Sequence, residues 1–251
     1  YTSVLGQYGK LGEASEAVAW FGRIKSANLQ PDFRNYSSIM YAYAKCSKAN
    51  EATTWLSQAK NDSCIPTAAS FSKVVDFFCT KGKQIAPLAE MAARDSIAMS
   101  WLLTEMPKHG IVPDVQSFAS CIAAHVSAGR DADGHALWNV MRCSRNLTAG
   151  ESLQCYEQVL LALSRRQFAC AEDGLKLVDE WFGRMTRERL QPTIQMYHHV
   201  LSFCVKVQSV EKAEFYFGRL CEFNLTPDNF VYACLINVAV KIGDVAAAQR
   251  W

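Results

Sequence analysis

The sequence has no run approaching the roughly 18 consecutive apolar residues that a membrane-spanning helix needs, so a soluble chain is expected. It has no HExxH, no GxSxG and no glycine-rich phosphate loop. Zinc deaminase domains carry HxE and CxxC pairs, and neither occurs here. Asp131, Asp133 and His135 are the one local polar grouping, and they stand where a helix should begin, which capping explains. No catalytic activity, no cofactor and no metal are expected of these residues. Charge of one sign is also scarce: 26 Lys and Arg against 24 Asp and Glu leave +2, so any polyanion must be met by an arranged stripe rather than by bulk charge.

Cysteine is plentiful, but its pattern is not that of a ligand set. Cys46, Cys64, Cys79, Cys121, Cys143, Cys155, Cys170, Cys204, Cys221 and Cys234 form no CxxC pair, and the histidines stand at no ligand spacing from them. Buried free thiols in a reducing compartment are expected. The triplets Asn61-Asp62-Ser63 and Asn146-Leu147-Thr148 resemble glycosylation acceptors, but the cysteines argue against secretion. The chain begins at Tyr1 and ends at Trp251, each inside a helical pattern, so a piece of a longer protein is expected.

What is present is a repeat. An aromatic followed three and four positions later by an apolar pair recurs at Tyr1, Tyr36, Phe71, Phe118, Tyr156, Tyr197 and Tyr232, with spacings of 35, 35, 47, 38, 41 and 35. Pro31, Pro66, Pro113, Pro192 and Pro227 each precede the next aromatic by five, and a proline ending each unit is the reading they support. The Tyr156 junction lacks the proline, and 146–152 is read there as a linker. Each unit holds two helical patterns. The first starts at the aromatic and runs about ten residues. The second carries a large apolar pair such as Trp20-Phe21, Trp55-Leu56, Trp181-Phe182 or Tyr216-Phe217. Three residues before each pair's first member stands Ala17, Ala52, Val178 or Ala213, a small residue beside a large one as close helix packing needs. The tryptophans are read as core between repeats. The added residues of the longer units fall near 82–94, near 168–175 and in the linker that closes the fourth unit. The expected fold is all-α, a right-handed α-solenoid of stacked hairpins, with units at 1–32, 33–67, 68–114, 115–152, 153–193, 194–228 and a partial 229–251.

Units of this length that end in Pro-Asp and reopen on an aromatic resemble pentatricopeptide repeats. Tyr-Thr-Ser-Val-Leu to Leu-Gln-Pro-Asp in the first unit carries the resemblance best. Tetratricopeptide repeats have a 34-residue period and a different first-helix pattern, which is not found. The resemblance implies single-stranded RNA bound along the first helices, with one base read per repeat by the residue after the opening aromatic and the last residue of the unit. The implied pairs are Thr2 with Asp32, Ser37 with Thr67, Ser72 with Asp114, Ala119 with Ser152, Glu157 with Thr193 and His198 with Asp228; Ala233 opens another. The first pair fits guanine and the third is a weaker purine pair. The others fit the family's usage poorly. So do the positions that would sandwich bases, which hold Arg34, Ala69, Gln116, Gln154, Gln195 and Phe230.

One pattern points to nucleic acid without the resemblance. Nine residues after the aromatic stand Lys10, Lys45, Arg165, Lys206 and Lys241, and in the other two units Lys81 and Arg130 lie a little further on. One position per repeat becomes one line on a stack, and a line of cations suits phosphates. Cations at the end of a helix also answer its macrodipole, and the two roles are compatible. Tyr8, Tyr43 and Phe78 are read as packing between helices rather than as stacking platforms for bases. Two functions stand: an RNA-binding protein of an organelle (mitochondrion or chloroplast, from the resemblance) acting in RNA stability, processing or translation, and a scaffold subunit of a large organellar assembly such as a mitochondrial ribosome, holding proteins or rRNA backbone.

Overall fold

In a computed structural model, all residues are described except 47, 65–71, 73, 76–78, 80–96 and 109. Thr67, Phe71, Phe78, Lys81 and the proposed 82–94 expansion lie outside the described residues. The described residues are helical, with no strand among them. They divide into two compact units, Tyr1–Met141 and Arg142–Trp251.

The first unit contains α1 (Thr2–Leu11), α2 (Ala14–Ser26), α3 (Phe33–Lys45) and α4 (Ala49–Asn61). It continues through a helical stretch α5 over 97–108, which includes a π-helical turn at Trp101–Glu105, and α6 (Val115–Ser127). The helix α7 (Asp131–Ser144) runs to the unit boundary. The second unit contains α8 (Ala149–Arg165), α9 (Ala171–Arg187), α10 (Ile194–Val207), α11 (Val210–Glu222), α12 (Asn229–Ile242) and α13 (Val245–Arg250). Consecutive helices pair as hairpins. Within each unit the first helices touch one another in a row, α1 on α3 and α8 on α10 on α12, as in an α-solenoid.

From α3 onward the first helices start earlier than the aromatic that marks them, because the start is a capping event. The Asp32 carboxylate accepts the Asn35 N–H at 2.9 Å, Asp114 that of Ser117 at 2.8 Å and Asp228 that of Val231 at 3.0 Å. Thr193 does the same for Met196 at 3.4 Å. At the junction without proline, Thr148 and Glu151 form a reciprocal capping box, so 149–152 is the first turn of α8 and not linker. Ser152 therefore lies inside a helix rather than at its cap.

The prolines do not end the second helices. Those helices stop five residues earlier, at Ser26, Asn61, Arg187 and Glu222. What stops them is a left-handed residue, Asn28, Ser63, Arg189 or Asn224, with φ of 54 to 57°. The next amide then turns back to a carbonyl five residues earlier: Leu29 to Ile24, Cys64 to Ala59, Leu190 to Met185, Leu225 to Leu220. This is a Schellman end, in which an apolar residue closes over the last turn. Gly110 (φ 68°) and Ile111 form the same motif before Pro113.

The core is built from the repeating aromatics. Tyr36, Phe118, Tyr156 and Tyr197 are buried, and so are Ala17, Ala52, Val178 and Ala213. Phe21 sits 4.7 Å from Tyr36 and 5.3 Å from Trp55, ring to ring. At the same register of the second unit, Phe182 sits 5.3 Å from both Tyr197 and Tyr216. One ring per hairpin thus joins both helices of the next, and each such pair contributes about 0.5–1.5 kcal/mol beyond its area. Trp101, Trp138 and Trp181 are buried; Trp20 and Trp55 are half-buried, with Trp20 stacked on Tyr8 at 6.5 Å. Where α1 crosses α3, Gly9 packs on backbone, and a Cβ there would lie 2.7 Å from the Ser38 carbonyl oxygen.

The added residues of the fifth unit lengthen its interhelical linker, 166–170, and the start of α9. Phe168 from that linker packs on Phe203 of α10 at 5.5 Å. All ten cysteines are free, but the expectation of buried thiols holds only in part: Cys46, Cys143, Cys170 and Cys221 are exposed.

Candidate nucleic-acid interface

The row of first helices ends in the cations singled out above. Lys10, Lys45, Arg165, Lys206 and Lys241 occupy the last turns of α1, α3, α8, α10 and α12, and all five are exposed. None of the five is ion-paired among the described residues. Three of them reach back one hairpin. The Lys45 ammonium donates to the Lys10 carbonyl. Lys206 donates to the carbonyls of Arg165 (3.2 Å) and Arg166 (2.7 Å), and Lys241 to that of Val205 (3.4 Å). Each lysine thus answers the unsatisfied carbonyls and the negative end of its neighbour's dipole, not only its own. The cationic charge stays on the surface, because a carbonyl is a dipole and not a counterion. Arg130 is half-buried at the start of α7, off this register.

The second helices treat their cations differently. Lys25 of α2 meets Asp62 at 2.8 Å, Lys60 of α4 meets Glu105 of α5, and Lys108 joins that glutamate at 3.1 Å. In the second unit Arg142 meets Glu188 at 2.7 Å, Lys212 meets Asp179 at 2.6 Å, and Arg250 meets Glu214 at 2.6 Å. Five of these six ion pairs join neighbouring hairpins, and the Lys108–Glu105 pair lies within one helix. Tyrosine hydroxyls enter the same network, Tyr36 donating to Asp62 and Tyr216 to Asp179 (2.5 Å). Hydrogen bonds from Lys25 and Tyr36 hold the Asp62 carboxyl below the usual carboxylate range, and that from Lys60 does the same for Glu105. Carboxylates therefore meet many of the second-helix cations, though Arg23, Lys176 and Arg187 stay exposed, whereas none meets the five cations that close the first helices.

The residue pairs implied by the resemblance fall at the junctions between hairpins. Thr2 and Asp32 are bridged by Asn35. Its side-chain amide donates to the Thr2 hydroxyl at 3.1 Å and accepts the Asp32 N–H at 2.9 Å, while its own N–H donates to the Asp32 carboxylate. His198 and Asp228 meet directly, with Nε2 2.9 Å from the carboxylate, and the Phe230 ring lies 4.5 Å from the imidazole. Partial desolvation raises the Asp228 carboxyl, but the Val231 amide and His198 outweigh it and leave it below its ordinary value. Ser37 is half-buried and bonds the Arg34 carbonyl at 3.0 Å. Glu157 is half-buried, and Ser72 and Ala119 are buried. Asn35 and the Phe230–His198 contact were not singled out from the sequence. An asparagine three residues after a capping aspartate was the available signal.

Among the described residues no cluster of His, Cys, Asp and Glu is placed to hold a metal ion, and no helix is long and apolar enough to cross a membrane. Asp131 and Asp133 lie in the first turn of α7, where they face the positive end of its dipole.

Residues 1–29 match the profile of the pentatricopeptide repeat. A chloroplastic pentatricopeptide repeat-containing protein of Arabidopsis thaliana is 25% identical over 112 residues, which is 44% of this chain and 13% of that relative. Among solved structures, the pentatricopeptide repeat protein PPR10 from maize aligns with 99% of this chain and 42% of its own, at 16% identity and a TM-score of 0.48. PPR10 in complex with an 18-nucleotide psaJ RNA element aligns with 97% of this chain and 42% of its own, at 15% identity and a TM-score of 0.37. Residues 1–29 thus carry a pentatricopeptide repeat, and the Schellman end, proline, cap and anchoring aromatic that follow or close this first hairpin recur along the chain.

Proposed function

We propose that this chain binds single-stranded RNA along its row of first helices, holding the phosphates with Lys10, Lys45, Arg165, Lys206 and Lys241. The observation that carries the reading is one register: the five cations in the last turns of the first helices stand exposed and none meets a carboxylate, whereas Lys25, Lys60, Arg142, Lys212 and Arg250 on the second helices each do. An uncompensated line of cations is what releases counterions from a polyanion. Arg130 stands off this line, half-buried at the start of α7, and Lys81 lies outside the described residues. Base preference is limited and rests on the pairs Thr2/Asp32, Ser37/Thr67 and His198/Asp228. The process served is organellar RNA stability, processing or translation. The chloroplastic relative supports an organelle, and the chain spans only 13% of that relative's length.

The test is binding of a random single-stranded RNA pool by the wild type and by Lys10→Ala/Lys45→Ala/Lys206→Ala. The expected result is a loss of affinity across all sequences and a shallower dependence on salt, by about 0.7 in the log–log slope per lysine removed. A Lys25→Ala/Arg250→Ala control, which removes paired cations, should bind as wild type. Equal binding by the triple variant and the wild type would sink the reading.

A second reading is favoured by one observation. Lys45, Lys206 and Lys241 already tie neighbouring hairpins, a role that needs no RNA. On that reading the chain is a scaffold subunit of an organellar assembly, and no RNA is retained at physiological salt.

A further inference from the structure

We propose that the RNA-binding surface is interrupted: the third and fourth repeats make no contact with bases, and the chain takes RNA in two short tracts separated by nucleotides that it does not read. This rests on the RNA reading above.

The observation is the burial of one register. The two residues after the opening aromatic are exposed in α1 (Thr2, Ser3). They are half-buried in α3 (Ser37, Ser38), α8 (Glu157, Gln158) and α10 (His198, His199). In α6 the same two residues, Ala119 and Ser120, are 0% and 1% exposed. One repeat earlier, Ser72 is 6% exposed, and its hydroxyl is buried with no hydrogen-bond partner. Two adjacent repeats thus have this position closed, and the repeats on either side have it open.

The chemistry of the closed positions agrees. Ala119 offers no donor or acceptor to a base. At the cation register α6 carries Ser127, half-buried, whose hydroxyl is spent on the Ala123 carbonyl at 2.7 Å. The flanking first helices carry exposed Lys10 and Lys45 before it, and Arg165, Lys206 and Lys241 after it. A base cannot be read by a group that solvent does not reach, and a strand gains nothing from a helix end without charge. The ligand class that fits is single-stranded RNA with two short recognition blocks and a tolerant spacer.

Two measurements on the intact chain test this. In the first, wild-type protein is photo-crosslinked to RNA selected from a random pool, and adducts are located by peptide mass spectrometry. Adducts are expected within 1–45 and 157–241 and absent from 115–127, with two conserved blocks in the selected RNA. An adduct in 115–127, or one uninterrupted block, overturns the proposal. In the second, maleimide labelling of Ala119→Cys and Ser120→Cys is compared with that of Ser37→Cys in the native state. The α6 thiols should react at least about a hundredfold more slowly, since labelling must wait for local opening. Equal rates overturn the closure itself. Retention of no RNA, with slow α6 labelling, would instead overturn the RNA reading and the two-tract assignment with it.

Discussion

The Lys206 ammonium lies 2.7 Å from the Arg166 carbonyl oxygen, so the last turn of α10 fastens the end of α8. Lys45 fastens α1 in the same way. Lys206→Met should therefore cost stability as well as charge. The bond is exposed, so the loss should be about 0.5–1 kcal/mol in urea unfolding. It should shrink as salt is added. No change at low salt would show that the bond contributes nothing in solution.

The tyrosine hydroxyls separate into paired and unpaired. Tyr216 donates to Asp179 at 2.5 Å, whereas the Tyr197 hydroxyl is buried without a partner. Tyr216→Phe removes a bond to a charged group and should destabilise by about 1.5–3 kcal/mol. Tyr197→Phe removes only a desolvated hydroxyl and should be neutral or slightly stabilising. The reverse order in thermal unfolding would contradict the geometry.

Arg189 holds φ at 57° to close the Schellman end after α9, a conformation that glycine adopts freely. Gly110 fills the equivalent place before Pro113. Arg189→Gly should stabilise by up to about 1 kcal/mol. Gly9→Ala should do the opposite despite alanine's better helix propensity, because its Cβ would press on the Ser38 backbone, costing about 1–3 kcal/mol. Chemical denaturation of the two single variants checks both signs.

The carboxyls of Asp62, Glu105 and Asp228 all sit below their ordinary values in the folded chain. A depressed folded value adds stability that is complete above the unfolded value, about 4, and is lost as the pH falls through the folded one. The urea midpoint should be level from pH 7 to pH 5 and drop below about pH 4. In Asp62→Asn/Glu105→Gln the midpoint should be lower at neutral pH and fall less on acidification. An unchanged acid limb in that variant would assign the loss to other groups.

Much of this architecture is legible in the sequence because it is repeated. The aromatic and the small–large pair mark buried faces of helices, and burial follows side-chain type. Tyr36, Tyr156 and Tyr197 are core as their spacing implies. Helix ends are less legible. Proline marks the end of each unit, but the helix itself stops earlier, at a backbone conformation of Asn28, Ser63, Arg189 and Asn224, four positions of three residue types. The first turn of α8 looks like linker by its composition, and only the Thr148–Glu151 box marks it as helix. The cation register was visible, but not that its lysines reach the previous helix, since that depends on how closely two hairpins stack. Nor does sequence tell that Ser72 and Ala119 are closed while Ser37 and His198 are open. Solvent access at one register is set by what packs over it.

Asp32, Asp114, Thr193 and Asp228 each stand at the hinge between one hairpin and the next, and each starts the following helix with its side chain. Serine, threonine, asparagine and aspartate all perform that duty, with similar effect. They differ in the donors and acceptors they turn outward. Exchange within this set leaves the helix start intact while rewriting the polar face of the junction. The chain can therefore vary its lettering along the stack without unpicking the stack itself.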